Sequence, residues 1–403
     1  MSQFFFLRHH LVGENWLAIR RGVCMTDVNA EMGRDLRYLS IALWHYTEFS
    51  SRRISQFVAE CGQDDSDWEA VWNGIRGGCS LPGLFQAIEL GKQIEDEYLS
   101  KGTRILCPHD AGYPESLYGM RHAPIVGVRG HVELLKTRQV AIVGSRRTVS
   151  AAVQMTPVIA DEVMSRGMVV TSGGALGIDA LAHRQAMKRQ QPTIIVSAIG
   201  TAKIFPRENA DIFEWAAENG AIVSQFPNRD MAHKPNFPQR NEVIAALSCA
   251  VIVVQCPFKS GALYTAQAAT RFGKPVFAAA MPGFDELTAG GLDEIRRGTA
   301  RILYSPACLD SIEMPGQKVL SFEPAAVLRE DSGESLKCEP LPPVLLSDTQ
   351  DRIMQILAER GLTREILRSE AGQPGDFNES LLELELSGLV MVQNGVYSAC
   401  VGR

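Results

Sequence analysis

Nine cysteines are scattered through the 403 residues without a single CxxC pair, and their number is odd. Neither a zinc ribbon nor a disulfide framework is indicated, and a reducing cytoplasm fits best. No run of about 18 apolar residues is present to span a membrane. The opening MSQFFFLRHH is too short and too charged for the apolar stretch of a signal peptide, which again predicts a cytoplasmic protein. Basic residues are not in excess: 40 Lys and Arg against 46 Asp and Glu give −6, which excludes a chain-wide basic coat but leaves a local basic groove open. GxGxxG and the Walker GK[ST] are both missing, and no cofactor or metal is called for. What is present is ordinary globular material, 45% hydrophobic and 21% charged, enough for two or three domains of roughly 100–200 residues each.

Residues 1–34 show no clear period. Over 36–60, Leu36, Leu39, Leu43, Ile54 and Phe57 recur mainly at three- and four-residue spacings, and 81–99 continue in the same manner, predicting a helical N-terminal domain over 1–104. From 140 onward the pattern becomes short β-branched runs, each closed by glycine or a polar loop and followed by a helical stretch. The runs fall at 140–144, 168–174, 193–200, 221–224, 250–256, 275–280 and 300–305. Continuous apolar strands separated by helices are what a parallel sheet buried on both faces requires, so 105–308 reads as a doubly wound α/β domain of Rossmann-like type. Residues 309–344 read as a linker. In 345–403, amphipathic helices at 349–360 and 378–387 precede two apolar runs around Asn394-Gly395, a hairpin signal, and together they predict a winged helix.

In such a sheet ligands bind beyond the carboxyl ends of the strands. The first run ends in Gly144-Ser145-Arg146-Arg147, where glycine admits a ligand, Ser145 is placed to cap the next helix and the arginines supply charge. The second ends in Ser172-Gly173-Gly174, with Gly177 and then Asp179 and His183 at i and i+4, a pair that either serves chemistry or, more simply, fixes the loop. The third leads to Lys203, Phe205, Arg207 and Asn209. Phe237, Arg240 and Asn241 open a later helix, and Phe258, Lys259, Ser260 and Gly261 end the fifth run. Each loop alone is an ordinary turn. Together they line cations along one sheet edge, and 139–240 carries eleven basic against eight acidic residues. Separate cations, glycine loops and interleaved phenylalanines suit an extended phosphodiester with splayed bases better than one mononucleotide, although any of the three rings could equally be core.

The runs YPESL (113–117), APIVGVRG (123–130), VAIVGSRRT (140–148), SGGALGIDALAH (172–183), IFPREN (204–209), FPQRNEVIAALS (237–248), SGALYTA (260–266) and LLELELSGLV (381–390) resemble, in order, the DNA-processing protein A (DprA/Smf) family. The resemblance implies a helical, SAM-like N-terminal domain, an extended Rossmann-like domain that binds single-stranded DNA, and a winged helix in many members. It also implies a homodimer that protects incoming strands during natural transformation and loads the RecA recombinase, without catalysis of its own. The family's basic pocket positions match Arg146, Lys203 or Arg207, Arg240 and Lys259. Two positions depart: Leu176 stands where the family usually has arginine, and Glu242 replaces an arginine of the family motif, which lowers the expected affinity.

Two other readings use the same fold. A phosphoribohydrolase of the Lonely-guy type needs a carboxylate in a PGGxGTxxE loop, whereas this chain has Gln267 and Ala268 where that glutamate would stand. A nucleotide-binding module would use an acidic residue at the end of the second run, and MVVTSGG has none. The C-terminal module raises a further point. Residues 371–402 contain no Lys or Arg, while Asp376, Glu379, Glu383 and Glu385 give −4. Its third helix should be repelled by phosphate, so the module is expected to serve protein contacts, dimer stability or regulation and to leave single-strand affinity almost unchanged when removed.

Overall fold

The computed structural model describes residues 27–45, 50–62, 66–76, 81–108, 110–228, 233–281, 285–312, 346–372, 375–386, 389–393 and 395–399. The start of the chain to residue 26, residues 313–345 of the expected linker, and Asn394 of the expected hairpin lie outside the described residues.

The N-terminal helices are α1 (Asp27–His45), α2 (Ser51–Cys61), α3 (Trp68–Arg76) and α4 (Leu84–Ser100). The residues at helical spacing, Leu36, Leu39, Leu43, Ile54 and Phe57, are buried together with Trp72 and Tyr98. Arg37 fixes this packing: its guanidinium pairs with Glu95 on α4 at 2.6 Å and with Asp110 at 2.8 Å, and donates to the Ile105 carbonyl at 3.1 Å. Two further bonds hold the helices to the large sheet. The Trp44 indole donates to the Gln225 carbonyl at 2.8 Å, and the Tyr98 hydroxyl accepts from the Asn228 amide at 2.6 Å.

The sheet has nine strands: β1 (Thr103–Leu106), β2 (Val126–Gly130), β3 (Gln139–Val143), β4 (Val169–Ser172), β5 (Thr193–Val196), β6 (Ala221–Ser224), β7 (Ala250–Val253), β8 (Val276–Ala279) and β9 (Arg301–Leu303). Their order is β1-β2-β6-β5-β4-β3-β7-β8-β9. All seven runs read from the sequence are the parallel strands, and β3 to β8 are buried along their whole length. Strands β1 and β2 were not anticipated; they pair antiparallel, β2 against β6. Helices α5 (Ser150–Ser165), α6 (Ile178–Lys188), α7 (Ala210–Asn219), α8 (Asn236–Leu247), α9 (Gly261–Arg271) and α10 (Ala289–Arg296) connect the strands and divide the core into two faces. The chain starts the parallel part at β3 and then builds outward in both directions, so the crevice of the fold opens between the carboxyl ends of β3 and β7.

The C-terminal unit consists of α11 (Asp348–Glu359), β10 (Leu362–Thr363), α12 (Arg364–Glu370), α13 (Phe377–Leu386), β11 (Val390–Gln393) and β12 (Val396–Ala399). A reciprocal cap starts α11, Ser347 accepting from Gln350 and Gln350 from Ser347. The two last strands pair from Val390↔Ala399 to Gln393↔Val396, with Gly395 at φ +79° in the turn between them. Three helices and a hairpin make the winged-helix arrangement. Among the described residues no helix is long and apolar enough to cross a membrane.

Candidate nucleic-acid interface

The β3 and β7 loops are tied by one buried side chain. Gln255 accepts from the Val149 amide and donates to the Arg147 carbonyl, both at 3.0 Å, and its own carbonyl accepts from the Ser145 amide at 2.7 Å. Ser145 does not cap α5: its hydroxyl accepts from the Arg147 amide at 3.1 Å, bending the loop back on itself five residues before that helix begins. The Ser145 carbonyl accepts from Ile178, and a Cβ on Gly177, where φ is +78°, would lie 2.3 Å from that oxygen. Glycine is therefore needed at 177 for both backbone angle and space.

Asp179 and His183 each bond outside their helix and not to each other, which corrects the i, i+4 expectation. The Asp179 carboxylate accepts from the amides of Gly173 and Ala175 at 3.1 and 3.4 Å, stapling the glycine loop. Burial raises its pKa, and the charges of Arg240 and Arg146 oppose that rise. His183 is fully buried with Nδ1 at 2.7 Å from the Thr193 hydroxyl, and burial pushes it down to about 3, so it is neutral at physiological pH. Packing against the loop and against β5 has overridden the local pairing.

Arg240 also differs from its expected place on an open edge. It is 5% exposed, and it donates to the Gly173 carbonyl at 2.5 Å, the Val196 carbonyl at 2.6 Å and the Asn241 amide oxygen at 3.0 Å. Asn241 in turn donates to the Gly261 carbonyl at 3.0 Å. One pair of residues thus joins the loops after β4, β5 and β7, and a Cβ on Gly173 would stand 2.4 Å from the Arg240 guanidinium. Asn209 and Ser172 are likewise buried: Asn209 donates to the Gly174 carbonyl at 2.9 Å, and Ser172 to that of Ile142 at 2.6 Å. They and Gly144, packed on Ile178, hold the loops in place from beneath.

Arg146 is different in kind. Among the described residues its guanidinium has no hydrogen bond or ion pair; it lies over the Phe237 ring at 5.6 Å, and Arg240 lies over the same ring at 5.8 Å. Burial, with the Arg240 charge beside it, brings its pKa down to about 10, which leaves it protonated at neutral pH. Phe205, which is buried, tilts against Phe237 with ring centroids 6.0 Å apart. These groups, with Gly173, Leu176, Ile199 and Glu383, line one small cavity. Ile199 also lines a wide cleft of about 970 Å³ between the large domain and the C-terminal unit, with Lys203, Arg207 and Lys234 on one side and Asp376, Glu379 and Glu385 on the other. Arg147, Phe258 and Lys259 are exposed and line neither space, while Ser260 caps α9 by accepting from the Ala262 amide at 3.3 Å. Glu242 is paired with Arg271 at 2.6 Å. Lys234 was missed in the sequence because it stands just ahead of the FPQRN motif, in a stretch with no period. Among the described residues no group of three or more His, Cys, Asp or Glu is placed to hold a metal ion.

The acidic third helix of the C-terminal unit is not remote from this edge. Leu382 packs on Ile199 and Phe205, Arg207 is 3.5 Å from Glu379, and Lys234 is paired with Glu385. The module expected to leave single-strand affinity almost unchanged thus packs directly against the residues of this edge.

A doubly wound sheet whose crevice carries glycine loops, an inward arginine and a cation-flanked phenylalanine defines a Rossmann-like fold with its candidate site at the strand ends. The family model for DNA recombination-mediator protein A matches residues 104–311, and the chain belongs to that family. It is 30% identical to Protein Smf of Synechocystis sp. over 75% of this chain and 82% of that one. It is 33% identical to DNA processing protein DprA of Bacillus subtilis over 56% of this chain and 76% of the relative. The X-ray structure of DNA processing protein A from Streptococcus pneumoniae superposes with a TM-score of 0.57 at 27% identity, covering 71% of this chain and 98% of that one.

Proposed function

We propose that this chain is a cytoplasmic, single-stranded-DNA-binding recombination mediator, acting as a homodimer that protects incoming strands in natural transformation and hands them to the RecA recombinase, with no catalysis of its own. The division of labour follows the chain: 105–308 binds DNA, the helices of the N-terminal domain pack on the loop after β6, and 345–403 regulates. The observation that carries the DNA reading is Arg146, a half-buried guanidinium that makes no hydrogen bond or ion pair among the described residues, stacked on Phe237 in the crevice. A phosphate supplies the missing anion, and a base supplies a stacking partner for the exposed part of the platform. Arg207, Lys203 and Lys234 continue the positive track over a distance that one mononucleotide would not use. The relatives named DNA processing protein and the family's mediator description support the handover role.

The test is fluorescence anisotropy with labelled oligo-dT and with a blunt duplex of equal length at two salt concentrations. Tighter binding of the single strand, weakening with salt, is expected. Equal or tighter duplex binding overturns the reading.

A further inference from the structure

Helix α13 has two apolar faces. Phe377, Leu381 and Leu384 enter the core of the C-terminal unit. Leu382 points the other way and is only 7% exposed because Ile199 and Phe205 cover it, with Phe237 against the same cluster. Acidic residues surround this second apolar contact. Glu379 and Glu385, at i−3 and i+3 from Leu382, reach Arg207 and Lys234, and Glu383 closes the cavity over Arg146. The space left there is about 20 Å³, room for a water molecule or two and for nothing of nucleotide size.

We propose that α13 is an autoinhibitory occupant of the DNA cleft: its carboxylates take the places of backbone phosphates, Leu382 takes the place of a base on the phenylalanine platform, and single-stranded DNA must displace it to bind. The inference rests on the single-strand reading of the cleft. Its chemistry is complementary in sign and spacing, since the helix repels DNA but matches the cations that attract DNA. The contact is also built to be displaced. The Arg207–Glu379 pair is solvent-exposed, a class that contributes little, whereas the Glu385 side chain of the Lys234 pair is only 8% exposed and its charge is desolvated. One carboxylate oxygen of Glu385 is buried without a hydrogen-bond partner among the described residues, and such a group costs free energy until it is released. Glu383 is crowded by Glu208 and Glu379, and burial lifts its pKa to about 7. If the helix is docked for about nine-tenths of the time, the apparent affinity for DNA is about tenfold below the intrinsic one.

The test compares three full-length proteins: wild type, Leu382→Glu, and the double variant Glu379→Gln/Glu385→Gln. Leu382→Glu removes the apolar contact while adding negative charge, so any gain in oligo-dT affinity comes from undocking and not from new attraction. About tenfold tighter binding is expected for it, and a smaller gain for the double variant, which keeps the leucine and serves if the first variant fails to fold. Independently, a zero-length carbodiimide should link Lys234 to Glu385 in the free wild type, detected by tryptic mass spectrometry, and saturating oligo-dT should abolish that link. Equal affinity of wild type and both variants, or a link that persists at saturating oligo-dT, overturns the inference and leaves the single-strand reading standing. Binding by none of the three proteins overturns the single-strand reading, and the inference with it.

Discussion

Replacing Arg240 with alanine should harm the fold far more than a surface DNA contact would. The side chain is 5% exposed and serves three acceptors, the carbonyls of Gly173 and Val196 and the side chain of Asn241. Its removal leaves those buried oxygens without a donor and leaves Asp179 without the nearest cation that offsets its burial. Breaking a buried charged network by deleting one partner costs about 3–5 kcal/mol. For a cooperative unit the size of the 104–311 segment, each kcal/mol lowers the melting temperature by about 2–4 °C, so a fall of roughly 6–20 °C is expected. Thermal unfolding followed by circular dichroism measures it, with Arg146→Ala as the control, since that guanidinium has no protein hydrogen bond to lose. Should Arg240→Ala melt with the wild type while losing oligo-dT binding, the residue would be a ligand contact and the loop-joining role would be wrong.

Arg146→Ala should weaken oligo-dT binding and reduce the slope of log K against log salt by about one phosphate, with the melting temperature nearly unchanged; an unaltered slope would move the anion site elsewhere. Gly173→Val places a side chain where the Arg240 guanidinium lies, at 2.4 Å from its Cβ, and should destabilise by about 1–3 kcal/mol in a denaturant titration. The docked helix should also respond to pH. Glu383 faces Arg146, Arg207, Glu208, Glu379 and Gln350, and its pKa rises from 4.5 to about 7 through burial. Because the docked form holds the proton more tightly, this glutamate's contribution to docking is present at low pH and is lost as pH rises through about 7. The affinity gain of Leu382→Glu over wild type should therefore be larger at pH 6 than at pH 8, and Glu383→Gln should flatten the difference.

The seven parallel strands were readable because a strand buried on both faces has to be apolar throughout, and runs such as VAIV and AVIV leave little choice. TRIL and VGVRG were not readable as strands: they are short, one carries two glycines, and their pairing is decided by β6, a strand almost a hundred residues further on. Site residues divide in the same way. Local chemistry marked Arg146, Arg240, Asn209 and Ser172 as polar groups in strand-end loops, but which of them turn inward depends on carbonyls supplied by other loops. Arg240 finds the oxygens of Gly173 and Val196, 67 and 44 positions away, and becomes structural. Arg146 finds none among the described residues and stays charged. Asp179 and His183 share a helix face, yet each has a better partner outside the helix.

The acidic character of residues 371–402, expected to repel phosphate, also accounts for where α13 lies against the cations of the large domain. In a chain of net charge −6, the segment 139–240 gathers a positive surplus and the C-terminal module a negative one. Joined in one chain, two such surfaces meet at a high effective concentration, so one exposed and one half-buried ion pair suffice to hold them when one leucine is buried between them. A helix expected to be repelled by DNA is thus a helix that the proposed DNA site attracts, and both follow from a single separation of charge along the sequence. The departures at Leu176 and Glu242 fit the same arrangement. Leu176 adds apolar surface to the wall of the cavity that Glu383 closes, where an arginine would have bound the acidic helix more firmly, and Glu242 is neutralised by Arg271 away from it. With the cation count in the crevice kept low, a single strand carrying a charge at every nucleotide is expected to outcompete a helix that offers three carboxylates.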